Sequence, residues 1–382
     1  MNTPPDPRGQ HTQHGPNGPH RVSPADGPSV RIGALVPLTR PGWVAAGRHL
    51  LAGLDQAARE LNEAGGIAGR PVELVVRDTA ADPARAGAAV EELAGLGVAA
   101  LAGEYHSVVA RAAAARAEAL GLPFLCSSAV LDALTDGPAE QVARIAPAQS
   151  HGWSVYADFL LAAGHRRIAV AADPSLYWAS GTGILRDRIT AGGGTLVELD
   201  LRTLTPEGVC EELAADGATA LLLLAGHPDP AVPIVRAVRR DRRLAGVLLG
   251  APAGQPELAD WATLLGEDGA GVPFLRYLPE RLGPLGTRVG AALRERLGEE
   301  PSFVAFEGYD TVTVLAEVLR SHGADRARTA GAWPSVVVEG TRGPVRFSRV
   351  PGIGVWQWAW APVQVADRDP ADPGRFRVLH TG

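Results

Sequence analysis

A chain of 382 residues, 46% hydrophobic and 20% charged, is long enough for two domains and apolar enough to give each a core. Its net charge of -6 and pI near 5.9 exclude a nucleic-acid binder built on a basic face. Apart from histidine every basic residue is arginine, which excludes a phosphate-cradling lysine, a Schiff-base lysine and a lysine general base.

Residues 1–30 read as a disordered polar tail rich in Pro and Gly, with no charged-then-apolar signal segment and no lipidation cysteine. His11, His14 and His20 belong to that tail, where they either bind a stray metal or are simply part of a disordered tract. As written, the chain reads as cytoplasmic, or as extracytoplasmic if its true start lies elsewhere.

Ordered structure begins with an apolar strand at 32–36. Leu50, Leu51, Leu54, Ala58 and Leu61 then recur at helical spacing, and the helix stops at Gly65 and Gly66. Residues 71–77 form a second strand, and Asp82-Pro83 opens the next helix. A strand at 98–102, a helix at 110–120 and a strand at 122–126 follow. The alternation restarts at 167–172 and continues through strands at 195–199, 219–225, 246–250 and 271–277. A long helix at 303–322 precedes a strand-rich, Trp-rich C-terminal stretch holding Trp356, Trp358 and Trp360. Strand and helix alternating in units of about 30 residues predict parallel sheets covered by helices, arranged as two similar α/β lobes. Ligand sites in such sheets lie beyond the carboxyl ends of the strands, so a cleft between the lobes is the place to look. Cys126 and Cys210 are too few for a disulfide framework and read as buried, reduced residues. The run Arg236, Arg239, Arg240, Arg242 and Arg243 reads as a solvated helix face.

Several segments also look familiar. Ile32–Thr39 (IGALVPLT), Glu60–Arg70 (ELNEAGGIAGR), Asp78 with Asp82-Pro83, Asp173–Tyr177 (DPSLY), Gly308-Tyr309-Asp310 and Gly343–Phe347 (GPVRF) occur in the order in which they appear in type I periplasmic-binding proteins of the Leu/Ile/Val group. The resemblance spans about residues 31 to 382. It implies a two-lobed type I periplasmic-binding-protein fold with three hinge crossings. Lobe 1 would comprise 31–147 plus 273–348, and lobe 2 would comprise 148–272 plus 349–382. That division puts Cys126 and Cys210 in different lobes.

The resemblance also implies a set of ligand-binding residues. Ser107 matches the family's carboxylate-binding serine at a helix start, where free N–H groups and the helix dipole favour an anion. A plain N-cap role is the alternative for Ser107. Tyr105 and His106 flank it, and Trp43 joins the candidates from the loop after the first strand. Ser128 takes a position at which the family offers a backbone carbonyl, whereas Val130 stands where it offers a threonine hydroxyl. Tyr177 matches a ligand-covering tyrosine. Trp178 replaces a usual glycine, either filling the cleft, stacking on a planar ligand or standing exposed. His227 falls where the family often has tyrosine. The segment 249–254 (LGAPAG) lacks the acid that pairs with a ligand ammonium, with Glu257 the next acid along and Glu104 a substitute from the other lobe. A zwitterionic amino acid held in the usual manner is therefore not expected, since an unpaired buried ammonium costs several kcal/mol.

No Gly-x-Ser-x-Gly elbow, His-Glu-x-x-His or Cys-x-x-Cys pattern is present, so the expectation is a non-enzymatic binder without cofactor or metal. Its expected partner is a small amino acid, amide or carboxylate. Permease subunits of an ATP-driven (ABC) importer would follow in one reading and a regulatory protein in a second. A non-binding scaffold is the third.

Overall fold

The computed structural model describes residues 28–382, apart from the side chains of Ala327 and Ala330; most of the expected tail, with its three histidines, lies outside the described residues. In chain order the first unit runs β1 (Val30–Val36), α1 (Val44–Glu63), β2 (Val72–Asp78), α2 (Pro83–Gly95), β3 (Ala100–Gly103), α3 (Ser107–Ala119), β4 (Phe124–Cys126) and β5 (Val142–Arg144). The second unit follows with α4 (Gln149–Ala162), β6 (Arg167–Ala172), α5 (Leu176–Ala191), β7 (Thr195–Asp200) and α6 (Pro206–Asp216). It continues through β8 (Ala220–Leu224), α7 (Ala231–Arg240), β9 (Leu248–Gly250), α8 (Ala259–Leu265) and β10 (Phe274–Arg276). The chain then returns through α9 (Pro284–Leu297), α10 (Phe303–His322), α11 (Arg326–Ala330), β11 (Val338–Gly340), β12 (Gly343–Val345), β13 (Phe347–Ser348) and β14 (Trp356–Trp358). It ends in β15 (Gln364–Asp369) and β16 (Asp372–Thr381).

Two parallel sheets result. The first has the order β13-β14-β5-β4-β3-β1-β2, parallel except for its antiparallel edge strand β13. The second has the order β7-β6-β8-β9, all parallel. Backbone bonds from Ala251 N–H to Pro273 O and from Leu275 N–H to Pro252 O carry it on into the antiparallel set β10-β15-β16. Central strands covered on both faces read as continuous apolar runs; β8, Ala-Leu-Leu-Leu-Leu, is buried at every residue.

This pairing moves two of the expected lobe boundaries. The expected division puts residues 274–276 in lobe 1, but β10 pairs with β15 in the second unit. It puts residues 356–358 in lobe 2, but β14 pairs in parallel with β5. In both cases backbone hydrogen bonding carries a strand past the point where the resemblance places the crossing. Within the expected boundaries Cys126 and Cys210 are both buried, free and in separate units, and burial pushes the Cys126 thiol up to about 12. The arginine run is exposed, with Arg236 and Arg239 reaching the carbonyls of Leu264, Asp268 and Ala270.

The motifs that carry the resemblance have local physical causes. Asn62 bonds the Val72 backbone in both directions, at 2.9 and 2.7 Å, and so ties the end of α1 to the start of β2. The turn between them needs Gly66, whose φ is +77° and whose place a Cβ could take only 2.0 Å from Arg70 O. Helices α1 and α10 cross where Gly53 and Gly308 meet, and the Tyr309 hydroxyl donates to Glu60 at 2.7 Å across the same contact. Asp310 accepts from Thr341 N–H and Oγ1 and from Arg342 Nε, at 2.6, 2.8 and 2.9 Å.

Buried side chains also fix the three passages between the units. Arg342 donates to Ile145 O at the first passage and to Tyr277 O at the second, while pairing with Glu307 and Asp310. Gln357 donates to Ala146 O, and Gln364 donates to Leu278 O and Pro279 O. Crossing carbonyls that no ladder can satisfy are thereby paired.

Candidate functional site

The two units face each other across a cavity of about 380 Å³. Six of the sequence-derived candidates line it: Trp43, Tyr105, Ser107 and Ser128 from the first unit, Tyr177 and Trp178 from the second. The loop that brings Tyr105 and Ser107 there leaves β3 at Gly103, whose φ of +115° and close approach to Leu35 O, 2.1 Å from a virtual Cβ, only glycine accommodates.

Beyond Gly103 the loop is organised by Glu104. Its buried carboxyl accepts from Thr79 Oγ1 at 2.6 Å and from the N–H groups of Tyr105 and His106, both at 2.9 Å. With both oxygens so engaged, Glu104 is not among the cavity-lining residues, and the expectation that it could replace the missing counter-acid is corrected. Burial raises its carboxyl to about 7, against the opposing hydrogen bonds. Folded protein therefore holds this proton between the ordinary carboxylate range and about 7, where the unfolded chain has released it. Stability falls as pH rises through that window. Glu104→Gln, which copies the protonated form, is expected to flatten urea-unfolding stability between pH 5 and 8 by on the order of 3 kcal/mol.

Ser107 is the first residue of α3, and the N-cap position belongs to His106, which makes no side-chain cap. The capping alternative for Ser107 is thus corrected: its Oγ instead accepts from Leu131 N–H at 3.3 Å, linking the two loops that floor the cavity. Ser107, Val108 and Val109 all line the cavity, so the uncapped first turn of a 13-residue helix opens into it. His106 Nε2 accepts from Trp43 N–H at 3.1 Å, which assigns its proton to Nδ1. Burial lowers His106 to about 4, so the ring is neutral at ordinary pH.

On the other wall Ser175 caps α5 by accepting from Trp178 N–H at 3.1 Å. Trp178 is 8% exposed and packs on Tyr177 with ring centroids 4.6 Å apart, so the exposed-aromatic alternative is corrected. Val130 lines the cavity without a hydroxyl, and Ala253 from the 249–254 segment presents a methyl and no acid. Glu257 is withdrawn from the ligand space: it pairs with Arg276 at 2.8 Å and accepts from Phe303 N–H at 3.0 Å.

His227 is not among the residues lining this cavity. It sits behind Trp43, edge-on at 6.4 Å, with Nε2 3.2 Å from Asp260 Oδ2, and lines a smaller adjoining hollow. Its loop instead presents Gly226 to the cavity. The sequence reading also missed Tyr277 and Phe303, packed at 4.9 Å. Tyr277 ends a strand expectation and was findable by the carboxyl-end rule; Phe303, the first residue of a buried helix, carries no signal of its own.

The lining as a whole contains seven aromatic rings, counting His106, and no carboxylate or guanidinium. Among the described residues no group of three or more His, Cys, Asp or Glu side chains could hold a metal ion. No described helix is long and apolar enough to cross a membrane.

A family model described as a periplasmic binding protein matches residues 29–367. A Leu/Ile/Val-binding protein homolog from Brucella melitensis is 32% identical over 118 residues, which are 31% of this chain and 29% of that protein. The match thus spans less than a third of that relative's length. Among solved structures, a leucine-binding protein from Thermotoga maritima superposes with a TM-score of 0.78 at 22% identity, over 92% of this chain and 98% of the other. An R. palustris solute-binding protein in complex with benzoate gives 0.77 at 18% identity, over 92% and 96%. A branched-chain amino acid binding protein from Streptococcus pneumoniae in complex with isoleucine gives 0.78 at 18%, over 92% and 99%.

Proposed function

Because this chain belongs to the periplasmic binding protein family, we propose that it is the solute-binding component of an ABC-type importer. Its ligand in this proposal is a small organic acid with a planar, preferably aromatic, body. The observation that carries the reading is the composition of the cavity wall: an uncapped helix start at one end, rings around the rest and no acid anywhere. A carboxylate fits the N–H groups of Ser107, Val108 and Val109 and the Ser107 hydroxyl. A planar body fits between Trp43, Tyr105, Tyr177 and Trp178. An α-ammonium group would enter without a counter-charge, which disfavours a free amino acid. The benzoate complex of a relative with the same fold supports this choice of acid. A non-binding scaffold would not need an open hollow walled from both units.

Titration calorimetry with benzoate, 4-hydroxybenzoate and leucine tests the proposal. The aromatic acids are expected to bind and leucine is not. Ser107→Ala is expected to weaken benzoate by roughly ten-fold or more, the size of one hydrogen bond to a charged group. Tight leucine binding with no benzoate binding would overturn the aromatic-acid reading.

A further inference from the structure

Beneath the cavity floor lies a buried cation with no ionic partner. Arg144, at the carboxyl end of β5, is 0% exposed. Its Nε donates to Gln357 Oε1 at 2.7 Å and its Nη1 to Leu131 O at 2.6 Å, both neutral acceptors. Among the described residues its Nη2 has no hydrogen-bond partner and the side chain forms no salt bridge. The neighbouring buried cation is different: Arg342 is matched by Asp310 at 2.9 Å and Glu307 at 3.2 Å.

The groups that face Arg144 do not neutralise it. In register across the sheet stands Cys126, whose thiol burial keeps protonated. Tyr277 is a phenol that burial also holds neutral. Asp132, half-buried, lies beyond ion-pair distance and accepts from Ser150 N–H at 3.1 Å. The two acids of the Arg342 cluster are already shared with that arginine, and burial pushes Glu307 up to about 7, thinning their negative charge at neutral pH. A lone guanidinium in such a place costs several kcal/mol unless an anion comes to it.

The position says where that anion would be. Arg144 holds Leu131 O, one residue beyond cavity-lining Val130, and Leu131 N–H in turn donates to Ser107. We infer that Arg144 is a specificity-determining residue whose uncompensated charge selects ligands with a net negative charge over neutral isosteres, acting from below the floor without touching the ligand. The inference rests on the aromatic-acid reading of the cavity and adds a residue that the lining itself does not contain.

Calorimetric affinities for benzoate and for its neutral isostere benzamide, in wild type, Arg144→Gln and Arg144→Lys, test it. Arg144→Gln is expected to weaken benzoate by on the order of ten-fold, the effect of one charge acting over several ångströms in a partly buried medium, and to change benzamide less than about two-fold. Arg144→Lys is expected to restore most of the benzoate affinity. Should Arg144→Gln fail to fold, Cys126→Asp supplies an internal counter-ion from the register position and is expected to produce the same carboxylate-selective loss. Equal losses for both ligands, or unchanged benzoate affinity in the folded variants, would overturn the inference. So would wild-type protein binding benzamide as tightly as benzoate, which leaves the cavity reading standing. Wild-type protein binding neither ligand defeats the cavity reading itself, whatever the Arg144 variants do.

Discussion

Arg342→Ala is expected to lower the free energy of unfolding by about 3–5 kcal/mol, the cost of removing one partner from a buried ion cluster. Asp310 and Glu307, both fully buried, lose their shared cation, and the carbonyls of Ile145 and Tyr277 lose their donor. Arg342→Lys is expected to recover only part of this, since an ammonium cannot span two carboxylates and two carbonyls at once. Urea unfolding followed by tryptophan fluorescence measures it; a midpoint within about 0.5 kcal/mol of wild type, the range of an ordinary surface substitution, would show that the cluster is idle.

The second large effect concerns the crossing of α1 and α10. A Cβ at Gly53 would lie 1.9 Å from Ala305 O, and one at Gly308 would lie 2.4 Å from Leu50 O. Both obstacles are backbone, so relief requires the helices to part and their shared core to loosen. Gly53→Ala is expected to destabilise by about 3 kcal/mol. Gly87→Ala, in α2 with nothing within 4 Å of its Cβ, is expected to stabilise by roughly 0.5–1 kcal/mol because it relieves only backbone entropy. Thermal unfolding of the two variants side by side checks the opposite signs. Equal shifts would mean that the helix crossing is not the constraint.

Alternation of strand and helix was legible because its signal is local: apolar runs and their glycine stops are read within a few residues. Helix 303–322 appears with the expected bounds, and strand 167–172 likewise. The lobe boundaries were less legible, since β10 and β14 are three-residue strands whose sheet is chosen by partners about 90 and 213 residues away in sequence. The same distinction governs the cavity. The carboxyl-end rule points to the loops that hold Ser107, Ser128 and Tyr177, but these residues, like Trp178, are singled out by the family resemblance and not by the rule itself. His227 follows a strand too, but its ring lies behind Trp43, beside Asp260, and not in the cleft. Arg144 gave no sign in the sequence. The strand that carries it, Val142–Arg144, is three residues long and is not among the predicted strands, so its burial and its lack of an ionic partner emerge only in the structure.

Seven rings facing one hollow have a consequence for the empty protein. On the order of ten waters would have to occupy about 380 Å³ if the units met without a guest, and most would find few polar atoms to bond. Vacant closure is thereby disfavoured. To carry the molecule from 1:99 to 99:1 in favour of closure, a guest must prefer the shut arrangement by about 5.5 kcal/mol. The greasy wall, more than any single contact, makes a shut molecule a report that something is inside.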